Sequence, residues 1–121
     1  MFLNNPVMYL QRSDFNDNGD IINEEIVDKQ PVMIMIQAGF CGHCTKAKPE
    51  FQEFADKNKG IITAATIQAD GTMPGERELN EIINKIDPEF KGFPSYILYN
   101  KGKRIHYEGP RDSKSIEAFC K

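Results

Sequence analysis

The chain has no tryptophan, only three cysteines, no excess of positive charge and no long apolar run. Three cysteines are too few to staple a fold with disulfides. A bilayer span needs about 18 consecutive apolar residues, and no stretch approaches that, so no membrane contact is expected. Fifteen Lys and Arg against 18 Asp and Glu leave a formal charge of −3, which offers no basic field for nucleic acid or anionic lipid. The two signs are interspersed and form no charged tail. The opening Met1-Phe2-Leu3-Asn4-Asn5-Pro6 lacks the basic flank and apolar core of a secretory signal, and Phe119-Cys120-Lys121 is not a retention tetrapeptide. The expected location is therefore the cytoplasm. A second Cys-x-x-Cys pair is also missing, and this weighs against a structural zinc site.

What is present suits one globular domain over 1–121, long enough to bury roughly two-thirds of its unfolded surface. Hydrophobic residues at 40% and charged residues at 27% are ordinary for such a chain. Val7-Met8-Tyr9-Leu10 reads as a first strand, 14–19 as a polar loop, and 21–28 as a helix ending before Pro31. The nearly continuous apolar run 32–38 reads as a central strand buried on both faces. A helix over 42–58 contains Pro49, which predicts a kink, and carries Phe51, Phe54 and Ala55 on one face. A second buried strand covers 61–69, and 76–86 has Leu79, Ile82, Ile83 and Ile86 at helical spacing. Strands at 95–99 and 104–108 flank the turn Asn100-Lys101-Gly102, and a last helix spans 113–119 with Ile116 and Phe119 inward. The order β-α-β-α-β-α-β-β-α predicts an α/β fold, a central mixed sheet with helices on both faces.

Between the strand 32–38 and the helix 42–58 stands Phe40-Cys41-Gly42-His43-Cys44. Helix N-termini offer free N–H groups and a partial positive charge, so a cysteine there ionises more readily, and the thiolate is the reactive form. Two intervening residues put both sulfurs on one helical turn, within reach of a small disulfide ring. Cys41 is then the exposed nucleophile at the helix tip, with Cys44 the resolving thiol behind it. An imidazole at His43 can carry charge near neutral pH and favour the thiolate, which makes the disulfide a better oxidant. Gly42 leaves the backbone open to an incoming chain. The competing reading is a metal site, for which Cys120, His43 and His106 would have to complete the ligand set.

These residues resemble thioredoxins, and within them the catalytic domains of protein disulfide isomerase, over nearly the whole chain from Val7 to Phe119. Cys41-Gly42-His43-Cys44 is the isomerase form of the motif; Pro49 sits five residues beyond it as in the family's kinked helix. Gly92-Phe93-Pro94 resembles the loop whose proline is cis and faces the disulfide. Phe40, Phe93 and Pro94 are thereby implied as substrate contacts, through backbone pairing with an extended segment. Tyr107-Glu108-Gly109-Pro110-Arg111 resembles the segment whose arginine, here Arg111, lowers the pKa of the second cysteine transiently. The resemblance implies a thioredoxin fold and a thiol–disulfide oxidoreductase that needs no cofactor beyond its own redox-active disulfide. Its expected partners are protein disulfides or dithiols and a recycling reductase or oxidase, and the chain is expected to be monomeric.

The departures are as informative. Phe40 replaces the usual tryptophan, and Met35 stands where the family has the buried carboxylate that relays a proton to the second cysteine. The lysine that pairs with that carboxylate in the isomerase domains falls on Thr66. Losing both charges together avoids the roughly 3–5 kcal/mol cost of stranding one, but it deprives Cys44 of its relay and predicts slowed disulfide release. Reduction, formation and isomerisation of protein disulfides are all compatible with this site. Two other readings stand beside it: a binding module of the same fold that presents the Pro94 face with weak or no turnover, and a glutathione-dependent enzyme, for which no tripeptide site is marked.

The run 14–25 also fits a calcium-loop pattern, with Asp14, Asn16, Asn18 and Glu25 at ligand positions and Gly19 at the turn. No helix is expected before it, and the favoured reading is a turn whose Asp and Asn side chains cap the next helix. Cys120 is read as a buried small hydrophobe or an inert thiol, with an intermolecular disulfide as the alternative. His106 is read as a surface residue on an edge strand, and the loop 70–75 carries no assignable chemistry.

Overall fold

The computed structural model describes residues 2–29 and 31–121. Its five strands are β1 (Met8–Tyr9), β2 (Val32–Gln37), β3 (Thr63–Gln68), β4 (Ser95–Asn100) and β5 (Lys103–Tyr107). They lie in the order β1-β3-β2-β4-β5. The β1–β3 and β2–β3 pairs are parallel, and β2–β4 and β4–β5 antiparallel, so the sheet is mixed as expected. All six residues of β2 are buried, which is why this run carries no polar alternation. The β4–β5 hairpin turns on Lys101 and Gly102, both at positive φ (51° and 76°), as a two-residue turn of the right twist requires.

Side-chain alternation along β2 divides the interior into two layers. Val32, Ile34 and Ile36 face one cluster with Ile26, Leu79, Ile83 and Ile86. Met33 and Met35 face the other, with Cys44, Phe51, Phe54 and Ile116. The first layer is covered by α1 (Glu24–Val27) and α3 (Ile83–Ile86), the second by α2 (Gly42–Lys57) and α4 (Ser113–Cys120). Pro49 lies inside α2, whose buried positions Cys44, Ala47, Phe51, Phe54 and Ala55 recur at helical spacing. Phe51 and Phe54 are fully buried, each contributing about 1.5–3 kcal/mol of transfer free energy.

Three local expectations are corrected. The helix drawn over 21–28 shrinks to α1, because Ile21 instead bridges Phe15 and Asn23 caps the helix by accepting from the Glu25 N–H. The helix drawn over 76–86 begins as a 3-10 turn, Arg77–Glu81, and becomes α-helical only at Ile83. Asn80 donates to the carbonyls of Ala69 and Arg77, and Arg12 N–H bonds Gly75 O, so this stretch is tied to its neighbours in a tighter winding. His106 is not a surface residue: its side chain is 8% exposed, and Nδ1 lies 2.7 Å from the carboxylate of fully buried Asp87.

Candidate redox site

β2 runs out at Gln37, and after three intervening residues the chain turns into α2 with Cys41 as its N-cap. Cys41 has extended backbone (φ −90°, ψ 114°), and its Sγ accepts the Cys44 N–H at 3.2 Å. The sulfur therefore occupies the place where a cap oxygen usually sits, facing the helix's free N–H groups, where negative charge is favoured. Its own thiol points at the carbonyl of Phe93, 3.4 Å away. Cys41 is half-buried and Cys44 fully buried. Burial, and then the hydrogen bond the thiol makes to Cys41, push the Cys44 thiol up to about 12. One turn of helix thus holds an accessible sulfur and a protected one, both unbridged.

The other predicted residues surround this pair. Gly42 is exposed, with open space where a side chain would project. His43 is exposed and shares a cleft with Glu50 and Arg111. Phe40 is 76% exposed and meets Phe93 edge-on at 5.8 Å, while Phe93 packs on Phe90 at 5.2 Å. The Phe93–Pro94 bond is cis. A groove of about 430 Å³ extends from Phe93 and Pro94 past Tyr96 and His106 to Arg111. Arg111 is exposed, and its charge acts on Tyr96.

Two residues of the calcium-like pattern, Asp14 and Asn16, are engaged within their own segment. Asp14 accepts from the Gln11 N–H and the Asn23 amide, and Asn16 accepts from the N–H groups of Asn18 and Asp20. Among the described residues no three His, Cys, Asp or Glu side chains are grouped to hold a metal ion, and no helix is long and apolar enough to cross a membrane. Cys120 is half-buried, and burial followed by the nearby Glu117 pushes its thiol up to about 12.

Beneath the pair, Met35 is fully buried and lies beside Thr66 in the β2–β3 register. Thr66 Oγ1 donates to Met35 O at 2.7 Å, and the Gln37 amide donates to Thr66 at 3.3 Å. Two positions that carry opposite charges in the isomerase domains are thus filled here by a neutral, hydrogen-bonded pair.

Two neighbours escaped the sequence reading. Lys48, one turn beyond Cys44, is buried on the inner face of α2, and its charge favours the Cys44 thiolate against the effect of burial. Its position four residues after Cys44, inside the apolar stripe, was the available signal. Asp70 opens the loop to which no chemistry was assigned. Its carboxylate accepts the Gly39 N–H at 2.9 Å and so ties down the segment leading into Cys41. That bond holds its carboxyl below the usual carboxylate range. Thirty-one residues separate the two, and no local pattern marks such a contact.

A family model described as thioredoxin matches residues 8–121. The chain is 50% identical over 120 residues to the thioredoxin-like protein 453L of Invertebrate iridescent virus 6, covering 90% of this chain and 86% of that one. It is 32% identical over 116 residues to protein disulfide-isomerase 2-3 of Arabidopsis thaliana, covering 95% of this chain but only 23% of the plant protein. Among solved structures, the Trx4 domain of ERdj5 superposes with a TM-score of 0.66 at 21% identity, covering 93% of this chain and 90% of that domain. With its mixed sheet, its cysteine pair at the tip of α2 and these relatives, the chain belongs to the thioredoxin family.

Proposed function

We propose that the protein is a thiol–disulfide oxidoreductase acting on protein disulfides and dithiols through Cys41 and Cys44. In the reducing direction the Cys41 thiolate attacks a substrate disulfide, one substrate sulfur leaves as a thiolate, and a mixed disulfide forms. Cys44 then attacks the Cys41 sulfur, the bond to substrate breaks, and the Cys41–Cys44 disulfide forms. Two electrons pass from the protein dithiol to the substrate, and the two released substrate thiolates take up the protons given up by the cysteines. Substrate oxidation runs the same steps backwards, and isomerisation ends when the mixed disulfide is resolved by a substrate thiol. A dithiol reductase or a disulfide oxidase returns the protein to its starting state.

The observation that carries this reading is the asymmetric pair: a half-exposed sulfur capping α2, with a buried sulfur one turn behind it. The exposed Phe40 ring and the Phe93–Pro94 backbone beside it fit an extended, partly apolar protein segment. Insulin reduction driven by dithiothreitol tests the proposal. The wild type should accelerate precipitation of the insulin B chain, and Cys41→Ser should abolish the acceleration.

The second reading, a binding module with weak or no turnover, is favoured by one observation: Met35 leaves no buried carboxylate beneath Cys44. A wild type no faster than Cys41→Ser would select that reading and refute the first.

A further inference from the structure

The row of residues that crosses the sheet beneath Cys44 is Thr66, Met35, Tyr96 and Tyr107, one from each of β3, β2, β4 and β5. Residues directly paired on neighbouring strands point to the same face. Tyr96 therefore faces α2 beside Met35, in the same buried cluster as Cys44. It is 2% exposed, with its ring between Phe51 at 6.1 Å and Tyr107 at 6.0 Å. Its hydroxyl is buried and has no hydrogen-bond partner, one of two such side-chain atoms among the described residues, the other being Gln37 Oε1. Tyr107 satisfies its own hydroxyl on Pro110 O at 2.5 Å. A buried hydroxyl left without a partner costs free energy that phenylalanine would avoid, so its retention calls for a reason.

The charges that act on this hydroxyl point to one. Arg111 acts from the segment after β5, Cys44 from α2, and Tyr107 from β5, and Tyr96 shares the buried layer of Cys44. Cys41 and Lys48 of α2 act on Cys44 itself, whereas the buried Met35, Gln37 and Thr66 on β2 and β3 are neutral. A sulfur in this apolar layer must become an anion before it can attack the mixed disulfide, and the layer holds no carboxylate to take its proton.

We propose that the Tyr96 hydroxyl donates a hydrogen bond to the Cys44 sulfur as that sulfur becomes an anion, making Tyr96 a positioning residue for the resolving step. The inference rests on the oxidoreductase reading given above. The hydroxyl keeps its proton throughout; burial pushes its ionisation upward, so it serves as a donor and not as a base. Lys48 adds positive charge from the helix side. The Cys44 proton passes to water and thence to the departing substrate thiolate, while the Cys41–substrate bond breaks and the Cys41–Cys44 bond forms.

Tyr96→Phe removes the hydroxyl and keeps the ring. Reduced protein would be mixed with a peptide disulfide, quenched in acid at intervals from pH 6 to pH 9, and the mixed disulfide followed by mass spectrometry. The expected result is resolution slowed about ten-fold or more in the variant, with its pH profile moved upward. Iodoacetamide alkylation of Cys41 should keep its wild-type rate, and thermal stability should hold or rise. In a Cys41→Ser background, the pH of half-maximal Cys44 alkylation should also rise when Tyr96→Phe is added. Unchanged resolution kinetics and an unchanged Cys44 profile would overturn the role of Tyr96 while leaving the oxidoreductase intact. Equal slowing of both chemical steps together with a lowered melting temperature would overturn it as well, by assigning the residue to packing alone. A wild type that forms no mixed disulfide would overturn both readings at once.

Discussion

Replacing Met35 by glutamate restores a carboxyl beneath Cys44, and the structure sets both its cost and its benefit. The methionine is fully buried between Thr66 and Tyr96. Its burial contributes about 1.5–3 kcal/mol, and an imperfectly paired carboxyl adds a penalty of about 1–3 kcal/mol. The variant should therefore melt well below wild type. Burial raises a carboxyl from its ordinary value of about 4.3 toward and past neutrality, and near neutrality a group both accepts and returns protons. Positioned general acid–base groups typically contribute 10²–10⁴-fold. At the low end of that range, resolution of the mixed disulfide should quicken about a hundred-fold. Stopped-flow measurement of release, run below the melting range of the variant, checks this, with Met35→Gln as the control for polarity without proton transfer. Equal release rates in the Glu and Gln variants would refute the reasoning.

Two further outcomes follow from neighbouring contacts. Asp70→Asn weakens the anchor on Gly39 and should cost about 1 kcal/mol at neutral pH, since the group is partly exposed; insulin reduction should fall several-fold. Because the Asp70 carboxyl is held low, its stabilising effect is present above about pH 3.9 and fades as pH falls through the lower folded value. The denaturation midpoints of wild type and variant should therefore converge in acid, and a constant gap would contradict the contact. Burial works against charge on His106, but Asp87, Glu108 and Glu89 outweigh it and hold the imidazole above its usual value. The resulting stabilisation is complete below about pH 6.5 and disappears as pH rises through the raised value. His106→Gln should thus lose about 1–3 kcal/mol at pH 6 and much less at pH 9, as read by urea denaturation; parallel pH profiles would contradict it.

The sheet and the site were legible because their signals are local. An unbroken apolar run identifies β2, the Asn100-Lys101-Gly102 turn identifies the hairpin, and Cys41 and Cys44 mark the helix tip between them. The Met35–Thr66 pairing was reachable through the resemblance, which sets both residues at the positions of the charged pair in the isomerase domains. What escaped depends on contacts that no repeating spacing marks. Ile21 meets Phe15 in a bridge and so leaves the helix that its spacing suggested. Asn80 reaches back to Ala69 and tightens the following turn. His106 looked like an edge-strand surface residue until Asp87, nineteen positions earlier, was found against it. Lys48 and Tyr96 escaped for another reason: a lysine within an apolar stripe and a tyrosine in a strand read as solvent-facing or core residues until the fold brings the Lys48 charge to bear on Cys44 and puts Tyr96 in its buried layer.

The most direct test of the central claim is to map the covalent partner of each cysteine. Cys44→Ser, mixed with a protein disulfide, should accumulate substrate on Cys41 alone, and oxidised wild type should carry a disulfide between Cys41 and Cys44 with Cys120 free. Adducts spread over Cys120, or an oxidised protein whose Cys41 and Cys44 remain unbridged, would contradict the account.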